Sequence, residues 1–253
     1  MRIFSFVVTA VVALSVLAPA APVRADALSD GSAAYARGDY ATAAATWGAL
    51  AARGNAEAEF RMGVLHLRGE GVKQNTKTAM DWFRTAAGRG HPEAQYLIGS
   101  RLVRSPDEKD HEAAYRMFRD AADQGHAGAM VFLAQMFNRG HGVPRDGEQS
   151  EVWMRTAALS GSDHAALLLS QAWQHGKGVD PDPFTALIWM EVHVLLLQKK
   201  SGGRSQAAVM AKVRDRLIAK YAGSALNRTQ IAEALQTARE WTVGIEPWER
   251  RGL

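Results

Sequence analysis

The sequence predicts an all-α protein, a solenoid of about five stacked antiparallel helical hairpins with a C-terminal helical cap. A bulky apolar position recurs every 35 to 36 residues, at Trp47, Trp82, Met117, Trp153 and Trp189. An alanine pair and then a glycine follow four of these positions in the same phase. A period of this length, sustained over several copies, is typical of hairpins that bury their apolar faces by stacking on their neighbours. The content of 47% apolar and 22% charged residues is ample for such a core.

Each unit divides into two helices, A and B. Helix A is predicted four times, and its start position is occupied by Asn55, His91, His126 and Ser162. In each A helix an alanine and a large apolar residue stand four positions apart, so they share one helix face. The next residue is always small, namely Gly63, Gly99, Ala134 and Ser170, which predicts close approach of a neighbouring helix. Helix B ends at the alanine pair, and the glycine after it suits a left-handed C-terminal cap.

The connection between helices A and B carries paired glycines in three of the units. It reads GEGV at 69–72, GHGV at 140–143 and GKGV at 176–179. Glycine permits backbone angles that other residues avoid, so these segments predict tight turns. The second unit has Arg104-Ser105-Pro106 instead, which predicts a locally different turn there.

These repeated residues carry a resemblance to a known family. The combination Ala…Leu-Gly…aromatic, Gly-x-Gly-Val, Ala-x-x-Trp and Ala-Ala…Gly resembles the Sel-one-like repeat (SLR) family, relatives of tetratricopeptide repeats, over roughly residues 55–197. A shorter tetratricopeptide-like hairpin precedes it, with a tight turn at Gly38-Asp39-Tyr40, so the repeat solenoid is assigned to residues 26–197. The resemblance implies a right-handed α-solenoid. It also implies a role like that of exported bacterial members, which act mostly as periplasmic or envelope adaptors and regulators.

The first 25 residues are typical of a secretory signal peptide. Arg2 supplies a positive charge, an apolar stretch follows, and small residues allow cleavage after Ala25 or Ala27. The sequence therefore predicts export to the periplasm, with secretion as the alternative and no stable membrane insertion after cleavage. The chain has no cysteine, which removes disulfides, thiol nucleophiles and cysteine-ligated metals from consideration.

Residues 198–253 leave the repeat period and are predicted to form a basic loop and capping helices. One helix is expected from Gln206 to Tyr221, with Val209, Val213 and Leu217 on one face and Met210 and Tyr221 beside them. Asn227 and Gln230 form a capping pair for a last helix.

The balance of charges is −4 over residues 26–197 and +6 over residues 198–253. The tail is thus either a solvated cap or a weak contact for anionic surfaces. Nucleic acid is not expected as a partner, because the array has no basic stripe with interleaved aromatics.

The sequence carries no recognisable catalytic or cofactor-binding motif, so no enzyme activity, cofactor or metal site is predicted. The paired carboxylates Asp107/Glu108 and Asp180/Asp182 could serve a glycosidase in principle, but their position before helix B favours capping. A cell-envelope, peptidoglycan-related hydrolase remains the alternative. A protein that binds β-lactams or peptidoglycan is a further one, although the relatives that suggest it are cysteine-rich.

The predicted function is non-catalytic binding of a protein or peptide partner in the envelope by the A helices. Candidate residues vary while their neighbours repeat, and they form two rows. The first row is Arg61, Leu97, Phe132 and Leu168, and the second is Val64, Ser100, Gln135 and Gln171. The apolar members of the first row, Leu97, Phe132 and Leu168, could equally pack between repeats.

Overall fold

The computed structural model describes residues 27–177 and 179–241. Within these ranges the chain forms twelve helices and no strand, so the prediction of an all-α solenoid is confirmed. The predicted signal peptide, residues 1–25, lies outside the described residues, as does the end of the tail from residue 242 onward. None of the described helices is both long and apolar enough to cross a bilayer.

Five antiparallel hairpins follow one another along the chain. The first pairs α1 (Ala27–Ala36) with α2 (Tyr40–Ala51). The repeat units then pair A helices with B helices: α3 (Ala56–Arg68) with α4 (Thr76–Gly88), α5 (Pro92–Leu102) with α6 (Glu108–Asp123), α7 (Ala127–Arg139) with α8 (Gly147–Leu159), and α9 (Asp163–His175) with α10 (Pro183–Lys199). Each helix packs on the next, both within a hairpin and between hairpins. The tail adds α11 (Arg204–Tyr221) and α12 (Arg228–Trp241), and both pack against α10.

The start of every A helix is capped by the residue that the sequence places there. The side chains of Asn55, His91, His126 and Ser162 each accept a hydrogen bond from the backbone N–H three residues later. Such a bond satisfies one of the backbone donors that a helix start leaves free. The prediction that two histidines occupy this position is confirmed.

The small residue in helix A makes room for an aromatic ring of helix B. A Cβ added to Gly63 would lie 2.5 Å from Phe83, and one added to Gly99 would lie 2.9 Å from Phe118. Both rings are buried in the core. Of the residues at the recurring bulky position, Trp47 and Trp189 are buried, whereas Trp82, Met117 and Trp153 are only half-buried. This position therefore does not always hold a fully buried side chain.

The glycine turns serve both backbone conformation and close approach. Gly69 and Gly71 have φ of 74° and 68°. A Cβ on Gly71 would lie 2.2 Å from the carbonyl oxygen of Tyr40, so this turn packs directly on the start of α2. The second unit takes a different turn, as predicted: α5 ends at a right-handed residue, Val103, and α6 begins at Glu108.

The face assigned to the first tail helix is partly wrong. Leu217 is buried, but Val209 is 59% exposed and Val213 is also exposed. The buried side of α11 is formed by Leu217 and Tyr221, as expected, together with Ala207. The capping pair is confirmed, because Asn227 and Gln230 each accept a hydrogen bond at 2.9 Å from the other's backbone N–H.

Candidate partner-binding surface

The eight candidate residues lie on the four A helices α3, α5, α7 and α9. Seven of them are partly buried, and Gln171 is exposed. They do not form one continuous surface of equivalent side chains. Some are used within the repeat stack, and three come together at one cavity.

Phe132 and Leu97 contact the core between repeats. The ring of Phe132 stacks on that of Phe118 with centroids 4.7 Å apart, and it meets Tyr96 edge-on at 5.8 Å. Leu97 and Val64 pack on the apolar cluster that contains Phe83. Phe132 of α7 thus contacts α6, and Leu97 of α5 packs on a cluster that includes residues of α4, so both side chains lie between neighbouring hairpins.

Arg61 contacts a residue of its own helix and one of α2, and Ser100 contacts a residue of its own helix. Arg61 Nε donates to Glu57 at 2.6 Å, and its guanidinium lies over the ring of Trp47, 5.1 Å from the centroid. Burial raises the pKa of the Glu57 carboxyl, but hydrogen bonds from His91 and Arg61, together with their charges, leave that pKa below its ordinary value. Ser100 Oγ donates to the carbonyl oxygen of Leu97 at 2.8 Å.

Gln135, Leu168 and Gln171 line one cavity of about 280 Å³, which we call the α7–α9 cavity. Its walls come from α7, α8, α9 and the connection after α9. The apolar part of the lining consists of Met154, Leu168, Leu169, Ala172, Trp173 and Val179. The polar part consists of Gln135, Asn138, Arg139, Ser150, Glu151, Gln171 and Lys177, with the backbone of Gly147 beside it.

Most of the long polar side chains at this cavity have no partner within the described part of the chain. This holds for Gln135, Asn138, Arg139, Gln171 and Lys177. Glu151 differs, because it forms an ion pair of 2.6 Å with Arg155. Trp173 carries a buried indole N–H that has no acceptor among the described residues. Buried polar groups in proteins are usually paired, so an unpaired buried donor at a cavity is uncommon.

The two candidate rows contain three of the fourteen residues that line this cavity. Among those that sequence reasoning missed are Asn138, Arg139, Trp173 and Lys177. A signal for two of them was present. Asn138 and Arg139 follow Gln135 by three and four positions, so they lie on the same face of α7. Lys177 follows Gly176, whose left-handed conformation ends α9, and no helical spacing connects it to the other residues.

Three of the four carboxylates considered for catalysis have structural roles. Asp107 and Asp182 cap α6 and α10 through backbone N–H groups. Glu108 accepts from the backbone N–H of Gly142 at 2.8 Å, and this bond holds the pKa of its carboxyl below the ordinary value. No group of histidines and carboxylates among the described residues is arranged to hold a metal ion.

Comparison with known families gives one repeated match. A sequence model of the Sel1 repeat matches four consecutive segments of the chain, residues 56–91, 92–126, 127–162 and 163–191. Each segment begins at the first residue of an A helix, directly after the residue that caps this helix. A search of curated proteins finds no significant match.

Comparison with solved structures finds several matches, of which three are described. A Sel1 repeat protein from Oxalobacter formigenes is 22% identical, with a TM-score of 0.60 over 85% of this chain and 99% of that chain. A protective antigen of uropathogenic Escherichia coli that displays an SLR fold is 22% identical, with a TM-score of 0.43 over 87% of this chain and 56% of that chain. An immunity protein from Pseudomonas aeruginosa is 14% identical, with a TM-score of 0.45 over 76% and 81% of the two chains.

Proposed function

Because the chain belongs to the Sel1 repeat family, we propose that it is an exported, non-catalytic scaffold or regulator that binds a peptide or protein partner at the α7–α9 cavity. Sel1 repeats generally mediate protein–protein interaction. Members of the family are generally scaffolds without catalytic activity. The specific partner site and the location in the envelope are the parts that this proposal adds.

The observation that carries the proposed site is the set of unpaired polar side chains at the cavity. Elsewhere in the array some long polar side chains join neighbouring elements, as in the 2.9 Å ion pair of Arg89 with Glu59. At the cavity, Gln135, Gln171 and Lys177 have no such partner among the described residues. Side chains that are not needed for packing between repeats are those that a solenoid has available for a ligand.

Location in the periplasm is supported by the sequence of the first 25 residues. The positive charge, the apolar stretch and the small residues before Asp26 have the order that a signal peptide requires. Fractionation of cells that express the full chain, with N-terminal sequencing of the product, tests this part separately. A periplasmic product that begins at Asp26 or Leu28 supports export, and an uncleaved cytoplasmic product contradicts it.

A cell-wall hydrolase has no observation in its favour within the described residues. The only carboxylate that lines the α7–α9 cavity there is Glu151, and it is ion-paired with Arg155. Two free carboxylates facing one cavity would have favoured that alternative.

An affinity capture from envelope extract, followed by a binding measurement with the purified partner, tests the proposed function. The double variant Gln135→Ala/Gln171→Ala removes two amides from the cavity, and Lys77→Ala changes an exposed residue of α4 that does not line it. We expect the wild-type chain and the control to bind one partner with equal affinity and the double variant to bind it at least about tenfold more weakly. Equal binding by all three chains would contradict the cavity assignment, provided that circular dichroism shows all three folded.

A further inference from the structure

The α7–α9 cavity combines three kinds of surface that together define a ligand. Its apolar lining includes Leu168, Met154 and Val179. Its amide groups belong to Gln135, Asn138 and Gln171, and its two cations are Arg139 and Lys177. We propose that the cavity binds an extended peptide segment in which an apolar side chain is next to an acidic side chain. This inference rests on the proposed function and names the chemistry of the partner.

The two cations indicate the acidic side chain. Neither Arg139 nor Lys177 forms an ion pair with any residue that the structure describes. Many other arginines of the array are paired, for example Arg61 with Glu57, Arg84 with Asp81 and Arg119 with Asp123. The one carboxylate in the lining, Glu151, forms an ion pair of 2.6 Å with Arg155 rather than with Arg139 or Lys177. The cavity thus has unbalanced positive charge, which attracts and orients an anionic group.

The apolar lining indicates the neighbouring side chain. Leu168, Met154 and Trp173 are partly buried where they border the cavity, so they offer an apolar surface with limited access to water. Burial of a leucine or phenylalanine side chain there would remove apolar surface from water, which favours binding. The volume of about 280 Å³ accommodates one or two side chains rather than a folded element.

The amide side chains indicate an extended peptide backbone. A glutamine or asparagine side chain can both donate to a carbonyl oxygen and accept from an N–H group. Gln135, Asn138 and Gln171 have both capacities unused among the described residues. An extended peptide presents such groups along its length, whereas a helix uses them internally.

Selection from a library of random peptides displayed on phage tests the proposal. The wild-type chain is compared with Arg139→Ala/Lys177→Ala and with the charge-matched control Lys77→Ala/Arg101→Ala, whose residues are exposed and do not line the cavity. We expect peptides selected by the wild type and the control to be enriched in an aspartate or glutamate beside a large apolar residue. Peptides selected by the cavity variant should lose the acidic enrichment and keep the apolar one.

Fluorescence anisotropy with the most enriched peptide gives the affinity. We expect the cavity variant to bind at least about tenfold more weakly than the wild type and the control. We also expect wild-type binding to weaken as salt is raised. Synthesis of the peptide with a free and with an amidated C-terminus locates the carboxylate. Equal binding of the two forms supports an acidic side chain, and loss of binding on amidation overturns that assignment in favour of a terminal carboxylate.

The failure of this inference and the failure of the proposed function give different results. Selected peptides that bind the cavity without acidic residues would overturn the inference and leave the proposed function standing. The same holds if the cavity variant keeps the acidic enrichment. No selected peptide that depends on any cavity residue, in a chain that circular dichroism shows to be folded, would overturn the inference. Equal capture of the partner by the wild type and Gln135→Ala/Gln171→Ala would overturn the proposed function as well.

Discussion

The imidazole of His91, the residue that caps α5, donates a hydrogen bond from Nε2 to Oε2 of Glu57 in α3 at a distance of 2.9 Å. Its other nitrogen, Nδ1, accepts from the backbone N–H of Ala94 at 3.2 Å and caps α5. One ring therefore fixes the start of its own helix and joins it to the preceding repeat. The next repeat has the same arrangement, in which His126 caps α7 and donates to Glu93 at 2.9 Å.

The two roles of His91 can be separated by substitution. His91→Asn keeps a side chain that can cap the helix, as Asn55 does in α3, but it lacks the reach to Glu57. His91→Ala loses both interactions. We expect the alanine variant to be less stable than the asparagine variant by about 1 kcal/mol, the usual value of a helix cap. Urea unfolding of the three chains measures this difference, and equal stability of the two variants would show that the cap contributes nothing.

The hydrogen bonds to Glu57 predict a dependence of stability on pH. Because the pKa of Glu57 in the folded chain lies below its ordinary value of 4.5, the folded state prefers the carboxylate more than the unfolded state does. The resulting stability is present above pH 4.5 and is lost as the pH falls through the lower, folded-state pKa. Glu57→Gln removes this contribution.

Urea unfolding of wild type and Glu57→Gln at a series of pH values checks the prediction. The wild type should be the more stable chain at neutral pH, and the difference should shrink as the solution is acidified below pH 4.5. A difference that stays constant or grows on acidification would contradict the assigned role of the carboxylate.

The packing of Phe83 on Gly63 predicts opposite results for two similar substitutions. Gly63→Ala places a methyl group where the ring of Phe83 lies, since the added Cβ would be 2.5 Å from that ring. Overpacking of this kind typically costs about 1 to 3 kcal/mol. Gly48 in α2 has nothing within 4 Å of such a Cβ, so Gly48→Ala should stabilise the chain by about 0.5 to 1 kcal/mol through helix propensity. Thermal unfolding that shows the same sign for both would contradict the packing account.

The buried carboxylate of Glu191 predicts that the tail helices are tied to the last repeat by charge. Glu191 is only 3% exposed, and Arg214 of α11 approaches it at 2.6 Å, with Arg239 of α12 at 4.0 Å. Arg214→Met leaves the carboxylate without its nearest partner, which typically costs about 3 to 5 kcal/mol in a buried pair. Glu191→Gln/Arg214→Met removes the unpaired charge and should recover part of the loss. A double variant that is no more stable than Arg214→Met would contradict this explanation.

The repeat architecture could be predicted because several sequence features recur in the same phase. Helix starts at His91 and His126, the small residues Gly63 and Gly99 and the altered turn after α5 all follow from comparison of one unit with the next. Each of these positions is fixed by a local requirement, such as a capping acceptor or space for a ring. Local requirements of this kind are visible in the residue type itself.

The burial of individual side chains could be predicted less well. Val209 and Val213 share a helical face with Leu217, yet both are exposed, because the buried side of α11 consists of Ala207, Leu217 and Tyr221 and leaves the two valines outside it. The residues of the first candidate row, which occupy equivalent positions on the A helices, also differ in their surroundings. Phe132 meets Phe118 of the neighbouring B helix, whereas Leu168 borders a cavity. The cavity is formed by three helices together with the connection at Lys177. Its presence therefore cannot be predicted from the residue pattern of any one helix.

Site-specific photo-crosslinking in cells tests the central proposal most directly. A photoreactive amino acid is placed at Gln171, which is exposed and borders the α7–α9 cavity, or at Lys77, which is exposed on α4 and does not. We expect one discrete crosslinked product from position 171, none from position 77, and loss of that product when Arg139→Ala/Lys177→Ala is introduced. A product that forms equally from both positions, or only from position 77, would contradict the assignment of partner binding to this cavity.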